Sequence, residues 1–261
     1  MYCISDIYDW INDANSLIES ILYGCKENKD KGCCNENYIT ADILRSIVKS
    51  HRKINWLDKK KYTLWDCYKL NGNKETSYGD IAVIVRIYIS DDDYIEGVAF
   101  YEAKTQILKN GIMTFSSIDD EQIKRVSEKT SASNFVFYSL GNNEEYPSAN
   151  YMPTALLSSL LSKESGESKV TKRDVYKYGK SWVYGLADNF IGFGLDFDYH
   201  NVNLIKNSFN FLNEESPSIV IDLRVTDKII EVDKLPIHSD YISLFSLNSF
   251  NKLESKLNHS E

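Results

Sequence analysis

Ile4, Ile7, Tyr8, Ile11, Leu17, Ile18, Ile21 and Leu22 recur at three- and four-residue spacing. That period predicts an amphipathic helix ending in the polar loop from Gly24 to Gly32. A second helix is predicted from about Thr40, with Thr40 as N-cap and Ile39 and Leu44 as the flanking staple. Ile43, Leu44, Ile47 and Val48 form its apolar stripe. The period then changes. Tyr62 to Leu70 has strand composition, and Asn71-Gly72-Asn73 signals a turn. Residues 80–89 are apolar almost throughout, as in a strand covered on both faces. Asp91, Asp92 and Asp93 mark a turn and residues 96–105 return, which predicts an antiparallel hairpin.

Asp119 is placed to cap a further helix running to about Lys129, with Gln122 as capping-box partner and Ile118 and Ile123 as staple. Asn134 to Leu140 reads as a buried strand. Helix, helix, three strands, helix, strand is the order of a mixed α/β core with one crossover helix. Past a polar break at 141–147, the spacing predicts a helix over 152–162 with Pro153 near its start. A loop at 162–168 follows, then an aromatic-rich helix from Thr171 to about Asn189 carrying Val175, Tyr178, Trp182 and Leu186. Gly192, Gly194 and the Asp196-Phe-Asp198 turn end it. Residues 218–224 read as a strand, and 241–257 have weak helical spacing. The expected organisation is a core with its N-terminal helices over 1–140, and a helical and irregular C-terminal elaboration packed on it over 141–261.

Composition narrows the class. Of 261 residues, 43% are hydrophobic, 26% charged and 13% aromatic, a balance that supports a packed core and excludes a disordered chain. No basic region followed by an apolar run opens the chain, and no apolar stretch approaches the ~20 residues that span a bilayer. The expectation is a cytoplasmic protein with no membrane partner. Cys25, Cys33 and Cys34 fall near one polar loop without the paired spacing or nearby histidine of a zinc site, so they read as reduced loop thiols. The net charge of −8 counts against strong autonomous DNA binding. Lys49, Arg52, Lys53, Lys59, Lys60 and Lys61, with His51, nevertheless make a local basic run able to touch phosphates.

The candidate chemistry lies in the hairpin. Residues i and i+2 of a strand share a face, so Glu102 and Lys104 project together while Ala103 turns away. Asp80 heads the preceding strand, 22 residues earlier. Charges flanked by Val98, Ala99, Phe100 and Tyr101 are costly unless partnered. Two carboxylates and a lysine on adjoining strands can hold a divalent metal and orient a water, which points to phosphodiester chemistry. His51, His200, His238 and His259 are scattered, and neither a phosphate-binding Gly-Lys-Ser/Thr loop nor a Gly-x-Ser-x-Gly elbow is present. Gly192-Phe-Gly194 reads as a helix C-cap.

The arrangement Asp80…Glu102-x-Lys104 resembles the PD-(D/E)XK nuclease superfamily, with Gly79 standing where a proline is common. The resemblance covers roughly residues 36–140 and implies an α/β fold with a restriction-endonuclease-like core, a mixed central sheet flanked by helices. It implies Mg2+ or Mn2+ held by Asp80, Glu102 and the carbonyl of Ala103, and Lys104 holding or activating the attacking water. In-line attack would leave 5′-phosphate and 3′-hydroxyl ends. A fourth acid often comes from an early helix in this family. Glu36, in Asn35-Glu36-Asn37, resembles such an entry, with Glu19 and Glu75 as rivals. Gln106 continues the same strand face and could contact phosphate or water. Gln122 resembles the glutamine some members carry on the crossover helix, and is equally placed to be only a cap.

These readings imply a metal-dependent endonuclease acting on DNA, a defence-system effector or subunit gated by a protein partner or by homo-oligomerisation. The alternatives are a non-catalytic interaction subunit retaining the fold, docking through residues 170–200, and a ribonuclease.

Overall fold

The computed structural model describes residues 4–27, 35–56, 60–71, 81–109, 112–115, 118, 120–141, 146–161, 170–212, 216–227 and 235–246. Strand β1 (Ile4–Asp6) leads into α1 (Ile7–Glu27), followed by α2 (Glu36–Ser50), β2 (Lys53–Trp56) and β3 (Lys61–Leu70). The hairpin β4 (Ile81–Tyr88) and β5 (Tyr94–Lys109) comes next, then β6 (Ile112–Phe115), α3 (Asp120–Lys129) and β7 (Ser133–Ser139). Then come β8 (Ser148–Pro153), α4 (Thr154–Leu161), α5 (Lys172–Tyr178), β9 (Lys180–Ser181) and α6 (Trp182–Phe190). Helix α7 (Tyr199–Asn210) and strands β10 (Ile219–Thr226) and β11 (Tyr241–Ser243) complete the set.

The protein is α/β, with a mixed central sheet flanked by helices. The strand order is β1-β2-β3-β10-β4-β5-β7-β8-β9, with β11 beside β3 and β6 beside β5. β4 and β5 are antiparallel, Ile81 opposite Tyr101 and Tyr88 opposite Tyr94. β5 and β7 are parallel and joined through α3, as the single crossover helix requires. β10 enters between β3 and β4, antiparallel to the first and parallel to the second. The sheet therefore crosses the expected boundary at residue 140: β8 and β9 extend it on one side and β10 lies within it.

Alternation along the strands sorts the core into two layers. On one face Ala99, Tyr101, Ala103, Val136 and Tyr138 pack with Trp10, Ile39, Ile43 and Trp182 of α1, α2 and α6. Trp182 meets Tyr101 and Tyr138 edge-on, with ring centroids 6.2 and 6.0 Å apart. On the other face Phe135, Phe137 and Met152 lie under α3, α4 and α5. Val98, Phe100, Ala82, Ile84 and Val220 lie under α7.

Arg86, which interrupts the apolar run of β4, sits in a buried ionic network. Its Nη2 donates to both oxygens of Asp222, at 2.9 and 3.2 Å, from the neighbouring strand β10. Arg224 pairs with Asp66 across β3, and Arg52 reaches the other oxygen of Asp66. Asp66 and Asp222 face one another in register with 1% and 0% exposure. Carboxylates that deep are tolerated because each has a guanidinium partner.

Several local expectations are corrected. α2 begins at Glu36, one turn before Thr40, because the Asn35 side chain accepts the Tyr38 N–H and caps it. Thr40 is interior: its hydroxyl donates to the Glu36 carbonyl and is hydrogen-bonded to the Tyr138 hydroxyl, each at 2.8 Å. Cys25 is buried within α1, which continues to Glu27, and is no loop thiol. The single helix expected over 171–189 breaks at Gly179, whose backbone is extended and where a Cβ would lie 2.6 Å from the Val175 carbonyl. Residues 180–181 pair with β8 before α6 starts. Pro153 ends β8 and does not sit inside a helix. α7, capped by the Asp198 side chain, has no counterpart in the sequence reading. Tyr241 to Ser243 is a strand where weak helical spacing was read. Asp119, Gly72 and Asn73 lie outside the described residues. Among the described residues no helix is long and apolar enough to cross a membrane.

Candidate active site

β5 is sixteen residues long and outruns β4, whose ladder begins at Ile81 opposite Tyr101. Glu102 to Thr105 are held on the other side by β7, and pairing with β6 begins at Gln106. Its even positions place Glu102, Lys104 and Gln106 on the face covered by α3, with exposures of 6%, 6% and 4%. Ala103 turns to the opposite face and is buried in the core, as the two-residue period demands.

Glu102 is the centre of the group. Lys104 Nζ donates to Glu102 Oε1 at 3.3 Å. Gln122, on the first turn of α3, donates its side-chain N–H to the same oxygen. The glutamine is therefore a partner of Glu102 from across the sheet face. Arg125, three residues further along the same helix, adds a second positive charge. Burial pushes the Glu102 carboxyl up, opposed by the charge and hydrogen bond of Lys104 and by Arg125, and reinforced by repulsion from Glu36. Desolvation wins, so Glu102 holds its proton more tightly than an ordinary glutamate.

Glu36 arrives from the opposite layer. It is the first residue of α2, and its Oε1 accepts the backbone N–H of Thr105 at 2.8 Å. That N–H lies past the described start of β4. The rival Glu19 is exposed on α1, while Glu75 and Asp80 lie outside the described residues. Ile81, which follows Asp80 in the chain, is the register partner of Tyr101, which precedes Glu102.

Gln106 is anchored by its carbonyl oxygen, which accepts from Ser139 Oγ at 3.2 Å and from the Leu140 N–H at 3.1 Å. Its Nε2 is buried and has no hydrogen-bond partner among the described residues. A buried amide donor left so costs about 1–3 kcal/mol, which suits a residue kept for an acceptor brought by a ligand.

Three members of the basic run have partners within the protein. Arg52 is drawn inward to Asp66 and stacks over Phe245, 4.7 Å from guanidinium carbon to ring centroid. His51 bonds Asp13 at 2.9 Å, and Lys53 lies over the Tyr62 ring. Lys59 lies outside the described residues.

Arg125 escaped the sequence reading, although its spacing from Gln122 was the available signal. Asp196 was read only as part of a turn. Its carboxylate accepts from Thr130 Oγ1, the Ser131 and Asp198 N–H groups and Asn201 Nδ2, at 2.7 to 3.0 Å. Its backbone pairs with Val98 of β5 in both directions. One residue thus ties the end of α3, the start of α7 and the candidate catalytic strand together.

Among the described residues no three His, Cys, Asp or Glu side chains are grouped closely enough to hold a metal ion. The donors brought together are Glu102 and Glu36, carboxylates with the hard oxygens that suit Mg2+ or Mn2+. Comparison with protein-family models, with curated proteins and with solved structures finds no match to this chain.

Proposed function

We propose that this chain is a metal-dependent endonuclease of the PD-(D/E)XK type, built on a restriction-endonuclease-like core and hydrolysing DNA. The observation that carries the reading is the convergence at the middle of β5, just past the paired end of β4, of Glu102, Lys104 and Glu36, with Gln122 of the crossover helix bonded to Glu102. An ordinary surface ion pair would not be buried to 6% exposure, nor be bonded by a side chain of the helix that covers it.

Glu102, Asp80, the carbonyl of Ala103 and Glu36 are the groups that would hold Mg2+ or Mn2+. Such a cation, when bound, supplies Lewis-acid stabilisation of charge on the phosphoryl oxygens. Lys104 holds the attacking water in line with the scissile bond and offsets negative charge on the phosphate. As the water oxygen bonds to phosphorus it gives up a proton to bulk solvent, and the bond to the 3′-oxygen breaks. The 3′-oxygen takes up a proton, leaving 5′-phosphate and 3′-hydroxyl ends. Gln106 Nε2 offers its hydrogen bond to a phosphate oxygen. Gln122 fixes the orientation of Glu102.

A net charge of −8, with Arg52 of the basic run drawn inward to Asp66, leaves little electrostatic grip on DNA. A protein partner or a homo-oligomer would supply it, as in a gated effector or subunit of a defence system.

The test is cleavage of supercoiled plasmid and of a matched RNA, with Mg2+, Mn2+ or EDTA, by wild type, Glu102→Ala and Lys104→Ala. Calorimetric titration of each protein with Mn2+ accompanies it. The expected result is plasmid nicking that EDTA abolishes and that each substitution lowers by about 100-fold or more, with Mn2+ binding lost in Glu102→Ala. Equal cleavage by all three proteins overturns the mechanism. RNA cleavage alone reassigns the substrate. Absence of Mn2+ binding by wild type removes the metal reading, whether or not a gating partner is needed for cleavage.

A further inference from the structure

Two of the described side chains of β5 carry a buried polar atom with no hydrogen-bond partner among the described residues: Thr105 Oγ1 and Gln106 Nε2. They are consecutive and follow directly on Lys104. Neighbours in a strand point to opposite faces, so Gln106 stands on the α3 side and Thr105 on the α2 side. The unused hydrogen-bonding capacity of this long strand is thus gathered at the candidate site, on both faces of the sheet.

Thr105 is 8% exposed and shares its face with Tyr101 and Ala103, which pack in the layer that contains α2. Its backbone N–H donates to Glu36 Oε1 at 2.8 Å. Covalent geometry keeps N and Oγ1 of one threonine within about 3.7 Å, so the hydroxyl lies within about 6.5 Å of that carboxylate oxygen. No direct bond joins the two. One water bridges a gap of this order, at about 2.8 Å from each partner. The neighbouring hydroxyls are engaged with each other: Tyr138, the register partner of Thr105 on β7, is bonded to Thr40, and Thr40 also donates to the Glu36 carbonyl. The strand itself does not call for the hydroxyl. Valine has the same branched shape, suits a strand as well and has no polar atom to desolvate. In the metal-free protein the Thr105 hydroxyl is therefore destabilising.

We infer that Thr105 is a positioning residue of the candidate metal centre, its hydroxyl hydrogen-bonding a water that the cation shares with Glu36. The inference rests on the metal-dependent reading above and adds the group that orders the water shell on the α2 side. Mg2+ keeps several of its water ligands in protein sites. A side chain that orients such a ligand is worth about 10- to 100-fold in metal affinity. One residue then serves the centre twice. Its N–H fixes the Glu36 carboxylate, and its hydroxyl fixes the water beside that carboxylate.

The test is calorimetric titration with Mn2+ at neutral pH, and thermal melting in EDTA, of wild type, Thr105→Val and Thr105→Ser. Valine keeps the branched shape and the N–H to Glu36, and serine keeps the hydroxyl. The expected result is that Thr105→Val binds Mn2+ about tenfold more weakly yet melts no lower than wild type, while Thr105→Ser binds within about threefold of wild type. A purely structural hydroxyl would do the reverse, lowering the melting temperature and leaving the affinity unchanged. Equal Mn2+ affinity in wild type and Thr105→Val overturns this inference and leaves the metal reading standing. A Thr105→Val protein that melts lower in EDTA, or a Thr105→Ser protein that binds as weakly as Thr105→Val, overturns it too. If wild type itself binds no Mn2+, the metal reading fails and this inference fails with it.

Discussion

Thr105 donates its backbone N–H to the carboxylate of Glu36 at 2.8 Å, across 69 residues of chain. Glu36 is held at the first turn of its helix by the Asn35 cap, and Thr105 is held in the sheet by β7. The bond fixes a carboxylate from one helical layer beside Glu102, whose own contacts come from the other layer. The two acids raise each other's cost, and a divalent cation would relieve both.

Glu102→Gln is therefore expected to raise the melting temperature of the metal-free protein at neutral pH while abolishing Mn2+ binding. The folded carboxyl is raised above its unfolded value, so between the two values the folded state holds the extra proton. Stability falls as pH rises through that window. Removing the ionisable group removes the fall, a gain of roughly 2–4 °C if it is worth about 1 kcal/mol. Scanning calorimetry in EDTA from pH 4 to 8 measures it, and a variant no more stable than wild type at pH 8 would contradict the assignment.

The same proton must leave before a cation can bind Glu102. Apparent Mn2+ affinity is thus expected to climb as pH rises through the raised titration and then level off. A flat affinity between pH 5 and 8 counts against Glu102 as a ligand.

Asp222→Ala strips Arg86 of its carboxylate in the middle of the sheet. The expected loss is about 3–5 kcal/mol, the usual cost of leaving one member of a buried pair alone. Replacing Arg86 and Asp222 together by Met and Leu should recover much of it. Urea unfolding of the three variants gives the values, and a double variant as unstable as the single one would show that the pair does more than neutralise itself.

Asp196→Asn tests the junction that ties β5 to the end of α3 and the start of α7. Burial alone would raise this carboxyl, but hydrogen bonds from the Asp198 N–H, Thr130, the Ser131 N–H and Asn201 outweigh it and hold it far below the usual carboxylate range. Because the folded value is depressed, the stabilisation is full above the unfolded value and is lost as pH falls toward the folded one. A loss of about 2 kcal/mol at pH 7 is expected, narrowing as the wild type is titrated into acid. An unfolding difference that stays constant from pH 7 to pH 2 would argue against it.

The hairpin and the crossover were legible because their signals are local. The β4 apolar run, the Asp91-Asp92-Asp93 turn and the period of two around Glu102 each act within a few residues. Glu36 was legible only as a resemblance, since its spacing to β5 carries no periodic signal. Gln122 was read with two roles, and the bond to Glu102 adds the tertiary one. Arg86 looked like an interruption because its partner, Asp222, is 136 residues away. The helix expected over 171–189 failed at Gly179 because the next residues, Lys180 and Ser181, pair with β8, a partner about thirty residues away that local spacing does not report. α7 was missed although Val202, Ile205 and Phe209 recur at three- and four-residue spacing behind the Asp198 cap; the segment is polar between them, and the three anchors are buried against β4, β5 and β10.

The interior place of β10 has a consequence during synthesis on the ribosome. When residue 140 emerges, Glu36, Glu102 and Lys104 have all been made, yet β3 and β4 each lack their shared neighbour. The arginine of β4 has no carboxylate and both strands carry open hydrogen-bonding edges, which are costly to leave uncovered. The sheet can be joined only when Ile219 to Thr226 slides between them, a late and long-range step of the kind that slows folding. A nascent or truncated chain would thus carry the candidate catalytic residues on a sheet in two unjoined pieces, and the proposed activity would wait until β10 has been made.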